Sequence, residues 1–261
     1  MSGGKTAVVT GGASGIGEAT VMRFADAGWN IVIGDINADR AATVAEPARA
    51  AGATSVTVLP LDLADAASVT DFAAGTYDRH GRVDVVVNSG GILQNGIRFN
   101  DMPVEEFDAV WTVNVRGTLL INQAFGRRMT KAGTGSIINM CSLTTYRASP
   151  QPAYAPAKVA LKSMTETMAA EFGASGVRVN AVAPGYTLTP AMQARIDAGQ
   201  RDPQAILDKS AIKRLVQPAD VAEAIFFLCS DAASAITGVV LPVDCGWLAR
   251  SAYTSYASQP D

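Results

Sequence analysis

Tyr154 and Lys158 are the pair most able to do chemistry in this chain. At i and i+4 of a helix they share one face, so the ammonium can lie beside the phenol oxygen. Pro156, between them, is tolerated only in a first turn, which puts the pair at a helix start. A free tyrosine titrates near pH ~10, too high for a base near neutrality. Lowering that by about three pH units takes roughly 4 kcal/mol. One cation about 4 Å away at intermediate dielectric supplies about that much. The pair is therefore sufficient on paper for general acid–base work near pH ~7–8. An isolated Tyr-x3-Lys is far more often a plain surface neighbour pair, so the case rests on what surrounds it.

Ser142 lies upstream, after an apolar run, where its hydroxyl can steady a developing alkoxide or simply cap a turn. Asn114 falls inside the helical stretch 106–129. Asparagine is mildly unfavourable mid-helix, so it is either a surface residue or holds a water that relays protons to Lys158.

These residues need a scaffold, and the chain supplies one. Apolar runs at Ala7–Thr10, Ile31–Asp35, Ser55–Pro60, Val83–Asn88, Ser136–Met140, Arg178–Ala183 and Val239–Val243 alternate with Ala/Leu/Glu-rich helical stretches. That alternation predicts an α/β fold, a parallel sheet covered by helices on both faces. The strands read as continuous apolar runs because both faces are buried. No repeat or linker divides the chain, which predicts one domain over residues 1–261. The stretch 186–216, with Pro190, Gly199 and Pro203, breaks the alternation and reads as a loop or helix insertion over a binding site.

The first strand runs into Thr10-Gly11-Gly12-Ala13-Ser14-Gly15-Ile16-Gly17, and a helix follows. Glycines let a backbone turn tightly against a pyrophosphate while the helix N–H groups face the anion. Glycines alone fit an ordinary strand–helix turn equally well. Asp35 closes the second strand, about 20 residues on, where a carboxylate accepts from ribose hydroxyls. It would repel a 2′-phosphate, so NAD is expected over NADP. Asp62 and Leu63 end the third strand, with Asp62 as a helix cap the plain alternative. Asn88-Ser89-Gly90-Gly91 ends the fourth, leaving room for a flat ligand or forming a simple turn.

Composition excludes other classes. Of the residues, 48% are apolar and 17% charged, so a large core is available. The net charge of −3, with no basic block, argues against nucleic acid or an acidic membrane as partner. No signal peptide or spanning helix is legible. Cys141, Cys229 and Cys245 lack metal spacing and read as reduced thiols, and with His80 as the lone histidine no metal site is expected. A cytoplasmic protein follows.

In this order the motifs resemble the short-chain dehydrogenase/reductase family along essentially the whole chain. They comprise Thr10-Gly-x3-Gly15-x-Gly17, Asp35, Asp62-Leu63, the Asn88 turn, Asn114, Ser142 and Tyr154-x3-Lys158. Pro184-Gly185 with Thr187 and Thr189, and Val243-Asp244-x-Gly246, complete them. The resemblance implies a Rossmann-type, doubly wound sheet of about seven strands. It implies proton transfer by Tyr154, activation and ribose contact by Lys158, substrate orientation by Ser142 and a water relay through Asn114. For the cofactor it implies Gly11, Ser14, Gly15, Ile16, Gly17, Asp35, Asp62, Leu63, Asn88, Gly90, Tyr154, Lys158, Pro184, Gly185, Thr187 and Thr189. It also implies a homotetramer or homodimer packed through the Asn114 and Tyr154 helices. Departures from the family pattern are Ser89-Gly90 in the fourth-strand turn, Pro156-Ala157 before the lysine, and a Ser142–Tyr154 interval one residue short. Cys141 occupies the usual interval, but a thiol is a poor donor and Ser142 is preferred.

The expected reaction is hydride transfer between NAD and a secondary alcohol, polyol or sugar hydroxyl, or the matching carbonyl. A 3-oxoacyl-thioester or ketone reductase of the same family is the alternative, and an NAD-binding regulator without turnover is a reading from another class. Gln94, Gln151 and Tyr186 join Ser142 as expected substrate residues by position, with Met192 beside them and Arg98 able to meet an anionic group; a plain surface or packing role is the alternative for each.

Overall fold

A computed structural model describes residues 4–254; the first three and last seven positions of the expected domain lie outside that range. Seven strands form one sheet: β1 (Thr6–Thr10), β2 (Asn30–Asp35), β3 (Ser55–Pro60), β4 (Val85–Asn88), β5 (Gly135–Met140), β6 (Val177–Pro184) and β7 (Val240–Val243). Every pairing is parallel, in the order β3-β2-β1-β4-β5-β6-β7. Each expected strand is present, with ends shifted by no more than two residues.

Parallel neighbours require crossovers, and these are α1 (Gly15–Asp26), α2 (Ala38–Ala51), α3 (Ala66–His80), α4 (Val104–Trp111), α5 (Thr118–Ala132), α6 (Tyr154–Phe172), α7 (Pro190–Asp197), α8 (Pro203–Asp208) and α9 (Pro218–Cys229). A short α10 (Trp247–Tyr253) follows β7. The period of two along each strand sorts the core into two layers. Ala7, Val9, Ile31, Ile33, Val85 and Val87 face one side with Phe24 and Ile225 of α1 and α9. Val8, Val32, Val86, Ile137 and Val179 face the other with Phe72, Ile121, Phe125 and Met168 of α3, α5 and α6.

Strand order reverses between β1 and its neighbours β2 and β4. The loops leaving β1 and β4 therefore diverge to opposite faces and open a crevice above the strand ends, where sheets of this type take ligands. The expected helix over 106–129 is real but not uniform. Between α4 and α5, Thr112–Gly117 forms a π-helical turn, and Asn114 sits in it. Such turns are over-represented at functional sites.

Candidate active site

The crevice is a cleft of about 630 Å³ running from Asp35 at one end to Tyr154 and Lys158 at the other. Its nucleotide end is shaped by backbone. Gly11 has φ +64°, and a Cβ there would lie 2.6 Å from the Cα of Gly90. The loop after β1 thus touches the turn after β4. Gly17 is buried in the first turn of α1, where a Cβ would meet the Gly11 carbonyl oxygen at 2.1 Å. It holds the helix against the loop and does not line the cleft. Gly15 has φ +57°, and its nearest neighbour across the cleft is the Thr189 methyl. Ser14 precedes α1 in an extended conformation and makes no side-chain cap bond. The first-turn N–H groups of α1 are therefore left to an anion.

Asp35 is fixed by two backbone donors, Ala13 N–H at 3.0 Å and Asn37 N–H at 2.9 Å. Asp62, Leu63, Ser89 and Gly90 line the adjoining wall. Arg40 lines the same corner and was not expected from the sequence. Its Nε donates to the Ala13 carbonyl at 3.0 Å. Its five-residue offset from Asp35 was the available signal, since α2 begins between them. Glycine loop, free helix terminus and a ribose-sized acidic corner in one cleft fit a dinucleotide.

At the chemical end, α6 begins at Tyr154 and Pro156 falls in its first turn, as expected. Ser142 stands at the end of the loop from β5, held by its N–H to Thr145 Oγ1 and by its Oγ accepting from Thr144 N–H, both 3.3 Å. Its hydroxyl lies beside the Tyr154 phenol and favours the phenolate. Cys141, at the usual family interval, is turned away: its thiol is buried against the Lys158 carbonyl at 3.6 Å, and burial pushes it up to about 11. The one-residue shortening is absorbed in the loop, and Ser142 keeps the position beside the tyrosine.

The expected electrostatics differ. Lys158 lies on the same face as Tyr154, its Nζ 5.2 Å from the ring centroid, yet it donates to the Met140 carbonyl at 2.7 Å. Burial pushes the tyrosine up to about 12, against the Ser142 hydrogen bond and the Arg195 charge, which pull it down. Burial also lowers Lys158 to about 8. Burial is the largest influence on each group, and the Tyr–Lys attraction that the spacing suggested is not among the causes for either.

Several expected site residues lie beside the cleft and support its walls. Asn114 is buried and grips Ile92 at both ends: Ile92 N–H donates to Oδ1 at 2.8 Å and Nδ2 donates to the Ile92 carbonyl at 2.9 Å. Asn88 is turned into the core, where its Nδ2 donates to Asn122 and Asn139 at 2.7 and 3.0 Å. Thr187 is buried and donates to the Gly185 carbonyl at 3.1 Å, while Pro184 and Gly185 pack beside Val243 and Asp244. Of that run only Thr189 faces the cleft, followed by Pro190 and Ala191.

The expected substrate residues are engaged by the protein itself. Gln94 is 1% exposed. Its Oε1 accepts from the N–H groups of Ala153 and Tyr154, both at 3.0 Å, so it caps the start of α6. Gln151 is spent on the Gln94 carbonyl at 2.6 Å and on Ser149 at 2.8 Å. Tyr186 packs its ring against Trp247, with centroids 5.6 Å apart, and accepts from Arg147 at 3.2 Å. Each has its polar atoms engaged by protein, which is a packing role.

Comparison with known proteins agrees with this geometry. A family model described as "Enoyl-(Acyl carrier protein) reductase" matches residues 11–248. The 3-oxoacyl-[acyl-carrier-protein] reductase FabG of Thermotoga maritima is 34% identical over 244 residues, covering 93% of this chain and 97% of that one. A structure of 7α-hydroxysteroid dehydrogenase complexed with NADH and 7-oxo glycochenodeoxycholic acid superposes with a TM-score of 0.88 at 33% identity, covering 94% of each chain. One of ElxO with NADP bound gives 0.88 at 28% identity, covering 94% of this chain and 99% of that one. The chain belongs to the short-chain dehydrogenase/reductase family of nicotinamide-dependent oxidoreductases.

Proposed function

We propose that this protein transfers a hydride between NAD and a secondary alcohol, polyol or sugar-type hydroxyl, or runs the reverse reduction. The observation that carries the reading is the single cleft joining the glycine loop and Asp35 to Tyr154 and Lys158, with Ser142 beside the tyrosine. The nicotinamide supplies the hydride acceptor or donor. Tyr154 takes the hydroxyl proton in oxidation and returns it in reduction. Ser142 donates to the substrate oxygen and steadies its charge. Lys158 holds the cofactor ribose and favours the tyrosinate. Asn114 keeps the loop at Ile92 in place, and the water relay to Lys158 that the resemblance implies would have to share its engaged polar atoms. Asp35 accepts from the ribose hydroxyls and disfavours a 2′-phosphate.

Residues 186–216 cover the substrate, with Thr189, Pro190 and Ala191 already on the cleft wall. Exposed Leu119 on α5 and Val159 on α6 support a homotetramer or homodimer packed through those helices. The three free cysteines support a reducing, cytoplasmic setting. No helix of the described residues is long and apolar enough to cross a membrane, and no three His, Cys, Asp or Glu among them could hold a metal ion. Reduction of a 3-oxoacyl thioester is the second reading, favoured by the acyl-carrier reductase among the relatives.

The test is a panel of polyols, sugars, secondary alcohols and ketones, followed by NADH absorbance with NAD and NADP in parallel. Turnover with NAD on hydroxyl substrates is expected. Much faster turnover with NADP overturns the Asp35 argument, and preference for a 3-oxoacyl thioester selects the second reading.

A further inference from the structure

A second, smaller pocket of about 220 Å³ is lined by Asn95, Gly96, Arg195, Gln200 and Arg201. At about 30 Å³ of liquid volume per water, it has room for a small anion with a few waters. Its position follows from two short segments that it shares with the main cleft. In the segment after β4, Leu93 faces the main cleft, Gln94 caps the Tyr154 helix, and Asn95 and Gly96 face the small pocket. In α7, Ala191 faces the main cleft and Arg195, one turn on, faces the small pocket. The Arg195 charge is felt at the Tyr154 phenol.

The charge in this pocket is unbalanced. Arg195 donates to the neutral Asn95 Oδ1 at 2.9 Å. Among the described residues, neither Arg195 nor Arg201 forms an ion pair. The nearby acids are engaged elsewhere: Asp197 accepts from Gln193, Asp202 from the Gln204 N–H, and Asp208 from the Gln204 side chain. Both arginines are half-buried. Two guanidinium forks with two carboxamides and no acid form a donor-rich pocket that suits a planar or tetrahedral oxyanion.

We infer that this pocket binds an anionic group of the substrate, a carboxylate or phosphate ester at the end remote from the reacting carbon. The inference rests on the main cleft being the hydride-transfer site. It moves anion recognition from Arg98, which is exposed and does not line the pocket, to Arg195 and Arg201. It also narrows the substrate class to hydroxy or oxo acids and phosphorylated polyols.

The test uses secondary alcohols on one carbon skeleton that end in a primary amide, a carboxylate or a phosphate monoester. Initial rates are followed by NADH absorbance. The anionic members should exceed the amide in kcat/KM by at least about tenfold, mainly through KM, and the better of the two identifies the head group. Arg201→Gln and Arg195→Gln should each cut that preference about tenfold, while Arg201→Lys, which keeps the charge and loses the fork, should cut it less. Equal kcat/KM across the wild-type series, or a preference unchanged in both glutamine variants, overturns the inference. Calorimetric binding of the same three compounds to Tyr154→Phe separates the two readings. Anion-selective binding without wild-type turnover breaks the hydride-transfer reading alone. Unselective binding breaks the anion pocket.

Discussion

The two ends of the cleft are built by different means. At the nucleotide end the surface is backbone: Gly11, Gly15 and Gly90 are small because neighbouring chain passes within contact distance. At the chemical end the surface is side chain: Tyr154 and Lys158 face the cleft with Ser142 beside the tyrosine, while Asn114 and Gln94 hold the segment between β4 and α4. A backbone surface leaves its mark as glycine at fixed spacing. A side-chain surface depends on which way each group turns, and spacing does not decide that.

The sharpest way to break this contrast is at the chemical end. Tyr154→Phe should lower kcat by about a thousandfold, within the range for loss of a general acid–base group, while NADH binding by fluorescence is unchanged. Retained turnover would move proton transfer away from α6. The nucleotide end is probed by Asp35→Asn, which should shift the NAD-to-NADP ratio of kcat/KM toward NADP by about tenfold, or ~1.4 kcal/mol. An unchanged ratio would mean that Arg40, not Asp35, sets cofactor choice at that corner.

The supporting role of Gln94 predicts an effect on stability. Gln94→Ala leaves two buried N–H groups at the start of α6 without a partner, at a cost of about 1–3 kcal/mol. Its melting temperature should fall by several degrees, with kcat falling beside it. A variant with normal stability and a raised KM alone would restore Gln94 as a substrate residue.

A pH dependence is expected at Lys158. Its pKa is lowered to about 8 by burial, so between pH 8 and the ordinary lysine range the unfolded chain binds a proton that the folded one does not. Stability from this group therefore rises with pH across that window, and its burial cost is fully present below pH 8. Lys158→Met removes that term. Thermal melts should show wild type gaining on the variant as pH rises from 7 to 9.5. Parallel curves would place Lys158 in water in the folded protein.

Much of this was legible in one dimension. The strand runs are apolar on both faces because helices cover both, so all seven could be read with small errors at the ends. Ser142 could be chosen over Cys141 from donor chemistry, and the structure turns Cys141 inward. The protein partners of Gln94, Gln151 and Tyr186 were not legible because they are far off in sequence: Gln94 lies 59 and 60 residues from the N–H groups it caps. Arg195 and Arg201 gave no signal for the same reason, since surface arginines are common and only folding brings Asn95 within 2.9 Å of Arg195.

Sequence by itself determined the alternating fold, the nucleotide loop, the acid that closes the second strand and the Tyr–Lys face of one helix. These depend on local periodicity and on steric limits within a few residues. Tertiary structure decided how the polar groups spend their hydrogen bonds. It placed Lys158 on the Met140 carbonyl, Asn114 on Ile92 and Gln94 on α6. It also decided that burial, and not the neighbouring cation, dominates Tyr154. Solvent exclusion is a property of the packed whole, and no residue interval encodes it.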